Sequence, residues 1–426
     1  MRDLLITLIV FGAIPFILMR PYIGVCVWSW LGYMNPHRLG WGFAYDFPFA
    51  QITGIVLLIS LIFSKEPKKL PIMPVTVVWV IFILWMSLTT AFAIFPDIAT
   101  DYWLRVIKIQ VPIFITMMLF LSKERLDALV WVIFISIGFF AIKGGFFTIV
   151  TGGSYRVWGP PGSFIEGNNE LALATLMVIP LANYLRFVAK NIWIKHCLLL
   201  SMILMVVAAI GSQSRGALLA ALAVLGFFWM KSHKKLITAI GGIILAGGIF
   251  AFMPQSWHDR MSTIQTYEQD SSAMGRITAW KMSINLASDR ILGGGFETFR
   301  RGAYDHYMPE APVPLDAHSI YFKVLGEHGF IGLGLFLLLL FLTFRTGSRA
   351  EKMTKGIDEL QWLNYLSRMV RVSLVAFIVG GAFLGLSYYD LPYHLMAILV
   401  VANVIATNAL NAKTLKEPKG NKHAIG

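Results

Sequence analysis

The hydrophobic positions of this chain fall into long, nearly uninterrupted blocks that short polar connectors separate. The blocks run to roughly 16–24 residues, the length that an α-helix needs to cross a hydrocarbon core of about 30 Å. Stretches such as IVLLISLIF and LFLLLLFL show no alternation of polar and apolar positions, whereas the strands of a membrane β-barrel would alternate. The pattern therefore predicts an all-α polytopic membrane protein.

The first apolar region, residues 4–34, is interrupted by Arg20-Pro21 and has two interpretations. It forms either two short crossings or one crossing with a re-entrant segment. Counted as one unit, which we prefer, it gives about 12 transmembrane helices with both termini inside; counted as two, it gives about thirteen and an external N-terminus. The other spans are predicted near residues 48–63, 73–94, 106–121, 128–150, 168–187, 196–212, 215–230, 236–253, 329–345, 371–388 and 391–410.

The longest polar stretch, residues 254–328, predicts one large, partly helical external loop. Ile277, Trp280, Ile284 and Ala287 recur on one face at helical spacing, which predicts an amphipathic helix lying on the membrane. The chain accordingly divides into N-terminal transmembrane helices (1–253), this loop (254–328), C-terminal transmembrane helices (329–410) and a cytoplasmic tail (411–426).

Composition supports a membrane protein. Hydrophobic residues make up 57% of the chain and charged residues 14%, whereas soluble domains carry about 25% charged residues. The net charge of +13 could indicate nucleic-acid binding, but most of the excess lies in short connectors that alternate with the spans. The positive-inside rule explains this placement, so those connectors are predicted to be cytoplasmic and no nucleic-acid partner is expected. Cys26 and Cys197 lie in apolar stretches and form no disulfide or metal framework.

The connectors predicted to be external carry arginine rather than lysine, with Lys281 as the clear exception. This placement runs against the positive-inside trend and therefore needs a reason. The planar guanidinium fork of arginine binds phosphate with paired donors. A phosphorylated ligand is therefore predicted on the external face, near Arg156, Arg215, Arg260, Arg276, Arg290, Arg300 and Arg301.

Three residues are the main candidates for chemistry. Arg215 follows the turn GSQS and opens a helix, where free N–H groups and the helix dipole favour an anion; Arg276 lies near the start of the predicted surface helix. Each arginine could instead contact lipid headgroups. His318 is predicted in the first turn of a helix that starts near Asp316 or Ala317, and an imidazole there could act as a general base. Its alternative role is a hydrogen-bonded histidine at a helix start.

Further candidates for substrate binding lie in the same external segments. Glu327 could orient a partner, although the neighbouring glycines also fit close helix packing. The loop 151–169 could line the same cavity through its polar residues. No Asp-x-Asp pair occurs in the external segments, and neither a Walker A loop, a dinucleotide fingerprint nor a zinc spacing is present, so no metal or other cofactor is expected. The predicted binding residues are Arg156, Asn168, Asn169, Arg300, Arg301 and Glu327.

The stretches GSQSRG, GRITAW…ILGGGFETF and DAHSIYFKVLGEHGFIGLG resemble the O-antigen ligase and polymerase superfamily of bacterial inner-membrane glycosyltransferases. The likeness spans roughly residues 165–345. The N-terminal stretch RPYIGVCVWSWLGYMNPHRLGWGFAYDFPFA resembles the branch of O-glycosylation ligases found beside exosortase systems. Each motif is loose alone, but their order around one large external loop is specific.

The resemblance implies an O-antigen ligase, an enzyme that transfers O-antigen polysaccharide from undecaprenyl diphosphate to a sugar hydroxyl of lipid A-core. The transfer would take place on the periplasmic side of the inner membrane, without metal or ATP, and would invert the anomeric carbon. The essential histidine and arginines of the family match His318, Arg215 and Arg276. His318 would deprotonate the acceptor hydroxyl, and the two arginines would hold the diphosphate and stabilise the charge of the leaving group.

Three alternatives remain open. O-antigen polymerases and protein O-oligosaccharyltransferases share the lipid-linked donor and differ in the acceptor. A transporter of lipid-linked glycans is the non-enzymatic alternative, and it should carry ionisable residues along a path through the spans. Here the span interiors are nearly uncharged apart from Arg105, Lys108 and Lys143, which favours an enzyme on the external face.

Overall fold

A computed structural model of the protein describes residues 1–231, 235–255, 257–258 and 271–416. Every regular element in these ranges is a helix, as the hydrophobic pattern predicts. Within them, nine helices are long and apolar enough to cross a membrane, and Phe49–Phe63 and Arg215–Phe227 are shorter apolar helices. The protein is thus an all-α polytopic membrane protein.

Fifteen helices are numbered in chain order over the described residues. They are α1 (Arg2–Met19), α2 (Pro21–Met34), α3 (Phe49–Phe63), α4 (Pro74–Ala91), α5 (Pro96–Leu119), α6 (Lys123–Val150), α7 (Asn168–Val188), α8 (Ile192–Gly211), α9 (Arg215–Lys231), α10 (Lys235–Phe252), α11 (Ser271–Asp289), α12 (Arg301–Tyr307), α13 (Ile320–Met353), α14 (Gln361–Gly380) and α15 (Asp390–Lys416).

The centre of the bundle is built by helices that are apolar on all sides. In α15, every residue from Leu395 to Val401 is fully buried, as expected for a helix without a polar face. Helix α7 packs against α6, α8 and α14, while α15 packs against α5, α13 and α14. The outer helices instead expose large apolar side chains such as Ile62, Leu84 and Phe341, which suits contact with lipid.

Contacts between connectors agree with the predicted alternation of sides. Arg125 forms a two-pronged salt bridge with Glu66 at 2.6 and 2.7 Å, which joins two connectors predicted to be cytoplasmic. At the opposite end, the Gln213 amide donates to the carbonyl of Gly153, and Arg290 donates to the carbonyl of Phe92. Segments predicted on one side are therefore neighbours in space.

The N-terminal region forms a helical hairpin of α1 and α2, and of these two helices only α1 is long and apolar enough to cross a membrane. Arg20 has an extended conformation and separates α1 from α2. Asp3 accepts a hydrogen bond from the backbone N–H of Ala44, while Ile17 at the other end of α1 accepts one from Ser60 near the end of α3. The start of α1 therefore lies beside the connector after α2, on the side predicted to be external.

Helix α13 is broken at Gly329, whose φ of 68° and ψ of −174° are not helical. The break removes helical donors from the carbonyls before it. Two amides of the glycine turn 293–295 replace them, because Gly294 donates to Gly326 and Gly295 to Glu327, at 2.9 and 2.8 Å. A Cβ at Gly293 would come within 2.6 Å of the Gly329 nitrogen, so only glycine permits this approach.

Several helix bounds differ from the predicted spans, including the start of α14 at Gln361 rather than 371. Helix α5 begins at Pro96 rather than near residue 106, since proline suits the first helical position. Helix α13 begins at Ile320, which is earlier than the span predicted at 329 but later than the start predicted at Asp316 or Ala317. Helix α14 ends at Gly380 rather than 388, because the following residues form a short turn and loop.

Helix α11 is not a surface helix with the predicted apolar face. Ala279, Met282 and Leu286 are fully buried, and the helix packs against α13, whereas Ile284 is 43% exposed. Its buried face therefore shares Ala287, which is 4% exposed, with the predicted face but otherwise consists of different residues. Arg260, most of the connector 231–235 and the tail beyond residue 416 lie outside the described residues, and residues 411–416 continue α15.

Candidate active site

His318 lies in the segment that links α12 to α13, two residues before the helix. Its φ of 44° places it in the left-handed region, which costs a non-glycine residue about 1–2 kcal/mol. Ser319 precedes the first helical residue and makes no side-chain capping bond. The prediction that His318 occupies the first turn is therefore wrong, and the ring is instead presented by a strained loop residue. Such strain persists only where the surroundings hold it.

The backbone on the N-terminal side of His318 is fixed by three hydrogen bonds. The indole N–H of Trp280 in α11 donates to the carbonyl of Ala317 at 2.9 Å. The hydroxyl of Tyr304 in α12 donates to the carbonyl of Leu315 at 2.7 Å. The ammonium of Lys323, one turn into α13, donates to the Asp316 carboxylate at 2.8 Å. Three different helices thus hold the chain that carries His318.

His318 lines a cavity of about 400 Å³ together with three carboxylate residues. Asp316 comes from the same segment, while Glu166 and Glu170 come from the end of the 151–167 loop and the first turn of α7. We call this space the His318 cavity. Its described lining residues are Trp158, Ser163, Phe164, Glu166, Gly167, Glu170, Asp316, His318, Gly385 and Leu386.

Glu170 lies near two basic residues. Its carboxylate interacts electrostatically with His318 and with Arg276 of α11. A Cβ on Gly167 would collide with this carboxylate, which folds back over the start of α7. Glu170, which the sequence analysis missed, thus lies within electrostatic range of two of the three predicted catalytic residues, Arg276 and His318. Of these two, only His318 lines the cavity as described.

Asp316 remains ionised because of its neighbours. Burial alone would raise the pKa of the Asp316 carboxyl, but the Lys323 ammonium, followed by the charge and the backbone N–H of His318, holds that pKa below its ordinary value. A carboxylate here can stabilise the imidazolium that forms when His318 accepts a proton. The arrangement suits proton acceptance at His318.

Behind the His318 cavity lies a buried polar network. Lys323, with only 7% of its side chain exposed, lies 3.6 Å from Glu297 and 3.7 Å from Glu327 in addition to its bond with Asp316. Glu327 accepts hydrogen bonds from the Tyr388 hydroxyl at 2.6 Å and from the backbone N–H of Glu297 at 2.9 Å. Glu327 does not line the His318 cavity as described, and its contacts are those of a residue that holds the broken part of α13.

Arg215 is the first residue of α9, as predicted. The preceding turn contains Gln213 at a φ of 56°, and the side-chain amide of Asn168 donates to the carbonyl of Ser212 at 2.7 Å. Asn168 belongs to the first turn of α7, two residues before Glu170, so the Arg215 turn is docked on the same helix end as the His318 cavity. Asn168 itself is buried and acts on the backbone.

The other predicted binding residues lie away from the described lining of the His318 cavity. Arg300 pairs with Glu297, and Arg301 pairs with Asp305 while donating to the carbonyl of Pro312. Arg156 is an exposed residue of the 151–167 loop, and Asn169 is half-buried in α7. Among the described residues, no group of three or more His, Cys, Asp or Glu side chains could hold a metal ion.

Sequence reasoning missed Glu170, Asp316 as a charged partner, and Lys323. An acidic residue in the first turn of a helix is common because it complements the helix dipole, so Glu170 carried no distinctive signal. Lys323 offered one: a lysine seven residues after Asp316 and four before Glu327, inside the same predicted loop, could have indicated an ionic cluster.

Two family comparisons cover most of the chain. Residues 200–350 match the family described as O-Antigen ligase. Residues 1–190 match a family of unknown function, DUF5935. No curated protein matches the chain. The first match contains Arg215, Arg276 and His318, whereas Glu170 and the 151–167 loop belong to the second.

Proposed function

We propose that this chain, which belongs through residues 200–350 to the O-antigen ligase and polymerase superfamily, is an O-antigen ligase. Glycan transfer of the ligase or polymerase type follows from the family. The finer proposal is that the donor is polysaccharide on undecaprenyl diphosphate and that the acceptor is a sugar hydroxyl of lipid A-core. The reaction would occur at the periplasmic face of the inner membrane, without a metal ion.

The observation that carries the proposal is the His318 cavity. His318 and three carboxylates line this cavity, and Arg276 lies within electrostatic range of one of them, Glu170. His318 and Arg276 belong to the region that matches the family. Acid–base work by a positioned histidine contributes about 10²–10⁴-fold to a rate. A transfer whose donor already carries a diphosphate leaving group requires no further activation.

The chemistry would proceed in one displacement. The acceptor oxygen attacks the anomeric carbon, its proton passes to His318, and the bond from that carbon to the diphosphate oxygen breaks. Glu170 and Asp316 stabilise the positive charge gained by His318. Arg215 and Arg276 would bind the diphosphate, whose negative charge increases as it leaves. Attack opposite to the leaving group inverts the anomeric carbon.

The test is a lipopolysaccharide gel from a host that lacks its own ligase. Wild type and the control His306→Ala, which changes an exposed histidine of α12, should restore the polymer ladder on lipid A-core. His318→Ala should leave bare core and accumulate polymer on the lipid carrier. A band of single repeats would indicate a polymerase, while glycan on protein would indicate a protein glycosyltransferase. A full ladder with His318→Ala would refute the catalytic role of His318.

A further inference from the structure

A second cavity, of about 700 Å³, lies between α3 and α5 in the region that matches the family of unknown function. We call it the α3–α5 cavity. It adjoins the His318 cavity, because Ser163 and Phe164 line both. Its polar residues include Arg38, Arg105, Lys108 and Asp390, while its other described lining residues are mainly apolar.

One face of α5 lines this cavity and changes from polar to apolar along its length. Asp101, Arg105, Lys108, Pro112 and Ile115 recur at helical spacing and all line it. The helix starts at Pro96 on the side predicted to be external. At 1.5 Å per residue, Arg105 lies about 14 Å and Lys108 about 18 Å along the axis from that start. The polar groups therefore lie nearer the external surface, and the apolar groups lie deeper.

Helix α3 forms the opposite wall of the cavity, and the cavity opens along this helix towards the lipid-facing surface of the bundle. Gly54, Ile55 and Leu58 line the cavity, and Ile55 and Leu58 are 51% and 43% exposed on the apolar surface of the bundle. A molecule with an apolar chain can thus enter from the lipid phase. The polar end would receive its headgroup.

The cations of α5 have few partners among the described residues, although Arg105 lies within electrostatic range of Asp390. Cationic groups within a spanning helix are costly, and they face a partner or a water-filled space when they occur. Among the described residues, neither Arg105 nor Lys108 forms a salt bridge. The Arg105 guanidinium instead lies 4.1 Å from the ring centre of Phe164, which holds it at the boundary between the two cavities. Both side chains are exposed rather than packed into the core.

A buried acceptor completes the polar end. Asp390, at the start of α15, is 5% exposed and lines the α3–α5 cavity. Its Oδ1 atom has no hydrogen-bond partner in the described chain. Buried polar atoms are normally paired, so this oxygen points to a hydroxyl or similar donor on a bound molecule. Arg105, Lys108 and this acceptor fit a headgroup that carries both phosphate and hydroxyl groups. Arg38, which also lines the cavity, is paired with Asp46, and Asp101 lies one turn nearer the external end of α5.

We propose that the α3–α5 cavity binds a phosphate-bearing lipid, with the phosphate on Arg105 and Lys108 and the apolar chain between α3 and α5. Only Ser163 and Phe164, which line both cavities, would separate such a lipid from the His318 cavity. The inference rests on the proposed function in one respect, the identification of the bound lipid as a substrate of glycan transfer. Lipid binding itself is independent of transfer and is measured without it.

The experiment is native mass spectrometry of the purified full-length chain with polyprenyl monophosphate, lipid A or diacylglycerol, a lipid that carries no phosphate. The variant Arg105→Gln/Lys108→Gln should bind at least one of the two phosphorylated lipids at least tenfold more weakly than wild type. Lys143→Gln, which removes another exposed cation from a spanning helix but not from this cavity, should change that affinity less than twofold. The lipid that loses affinity identifies the donor carrier or the acceptor anchor as the ligand.

A second variant tests the apolar part without changing charge. A Cβ at Gly54 would meet no atom within 4 Å, so a side chain there starts in open space. Gly54→Phe should occupy part of the cavity and weaken binding of the same lipid, and the unfolding temperature of the variant shows whether the fold is retained. Three results would overturn the proposal. The first is unchanged lipid affinity in both Arg105→Gln/Lys108→Gln and Gly54→Phe, and the second is an equal loss of lipid affinity in Lys143→Gln. The third is displacement of the lipid by inorganic phosphate alone. His318→Ala should retain lipid binding, so failure of the catalytic assignment and failure of this site are distinguishable.

Discussion

The indole N–H of Trp280 donates to the carbonyl oxygen of Ala317 across 2.9 Å, so helix α11 holds the residue immediately before His318. Arg276 lies one turn earlier on the same helix, within electrostatic range of Glu170. A single helix therefore positions both the backbone of the proposed base and a cation for the proposed diphosphate. This coupling connects the packing of the external loop to the chemistry.

Replacing Trp280 by Phe should lower activity more than stability. The phenyl ring can retain the stack on Phe322, whose centroid lies 4.7 Å from that of Trp280, while the hydrogen bond to Ala317 is lost. An unmet buried acceptor costs about 1–3 kcal/mol, and a loss of about tenfold in the transfer rate corresponds to about 1.4 kcal/mol. Transfer assays and thermal unfolding would be compared with Trp193→Phe, an exposed tryptophan of α8. Equal rates for the two variants would contradict this role.

Replacing Glu170 by Gln should reduce transfer by about 10–100-fold, because the amide keeps the shape but loses the charge that faces His318 and Arg276. The transfer rate of the purified protein with a lipid-linked donor would measure the loss. Glu310→Gln, an exposed residue of the same external loop, is the control and should retain the wild-type rate. A Glu170→Gln enzyme with full activity would show that this carboxylate only shapes the helix start.

The break in α13 predicts opposite effects for two glycines of one helix. Gly329→Ala places a side chain at a φ of 68° and against the backbone of Ile291 and Gly293, so it should destabilise the protein by about 2 kcal/mol or more. Gly334→Ala meets no atom within 4 Å and should be neutral or stabilising by up to about 1 kcal/mol. Unfolding temperatures in detergent would test the contrast. Similar values for both variants would argue against a fixed break.

The helices were more predictable than the site, for a physical reason. The span predicted at 168–187 forms as Asn168–Val188, because a long apolar run with polar flanks determines where a membrane helix lies. The shared cavity of Glu170 and His318 depends on how α7 meets a segment almost 150 residues later, which no local pattern encodes. The helix start at Asp316 was wrong because that carboxylate pairs with Lys323 instead of capping the helix. His318 could be identified by its residue type and motif, but its left-handed backbone could not.

The ion pair of Asp316 and Lys323 makes a contribution to folding stability that depends on pH in the acid range. Because the folded-state pKa of Asp316 lies below its ordinary value of 3.8, the pair stabilises the fold above that value. This contribution is lost only as the pH falls through the lowered pKa. The carboxylate is about one-third exposed, so solvent screening limits the pair to roughly 1 kcal/mol.

Asp316→Asn should therefore lower the unfolding temperature by a constant amount from about pH 8 to about pH 5, and the difference from wild type should shrink only below about pH 4. Asp305→Asn is the matched control, since Asp305 pairs with Arg301 on an exposed helix face, where such pairs contribute little. A difference that already disappears between about pH 7 and pH 5 would mean that another group, rather than Asp316, is the titrating partner of this loop. Asp316→Asn removes the ion pair that holds the His318 segment but leaves the imidazole in place. Transfer rates measured over the same pH range would therefore show whether holding this segment and accepting a proton are separable.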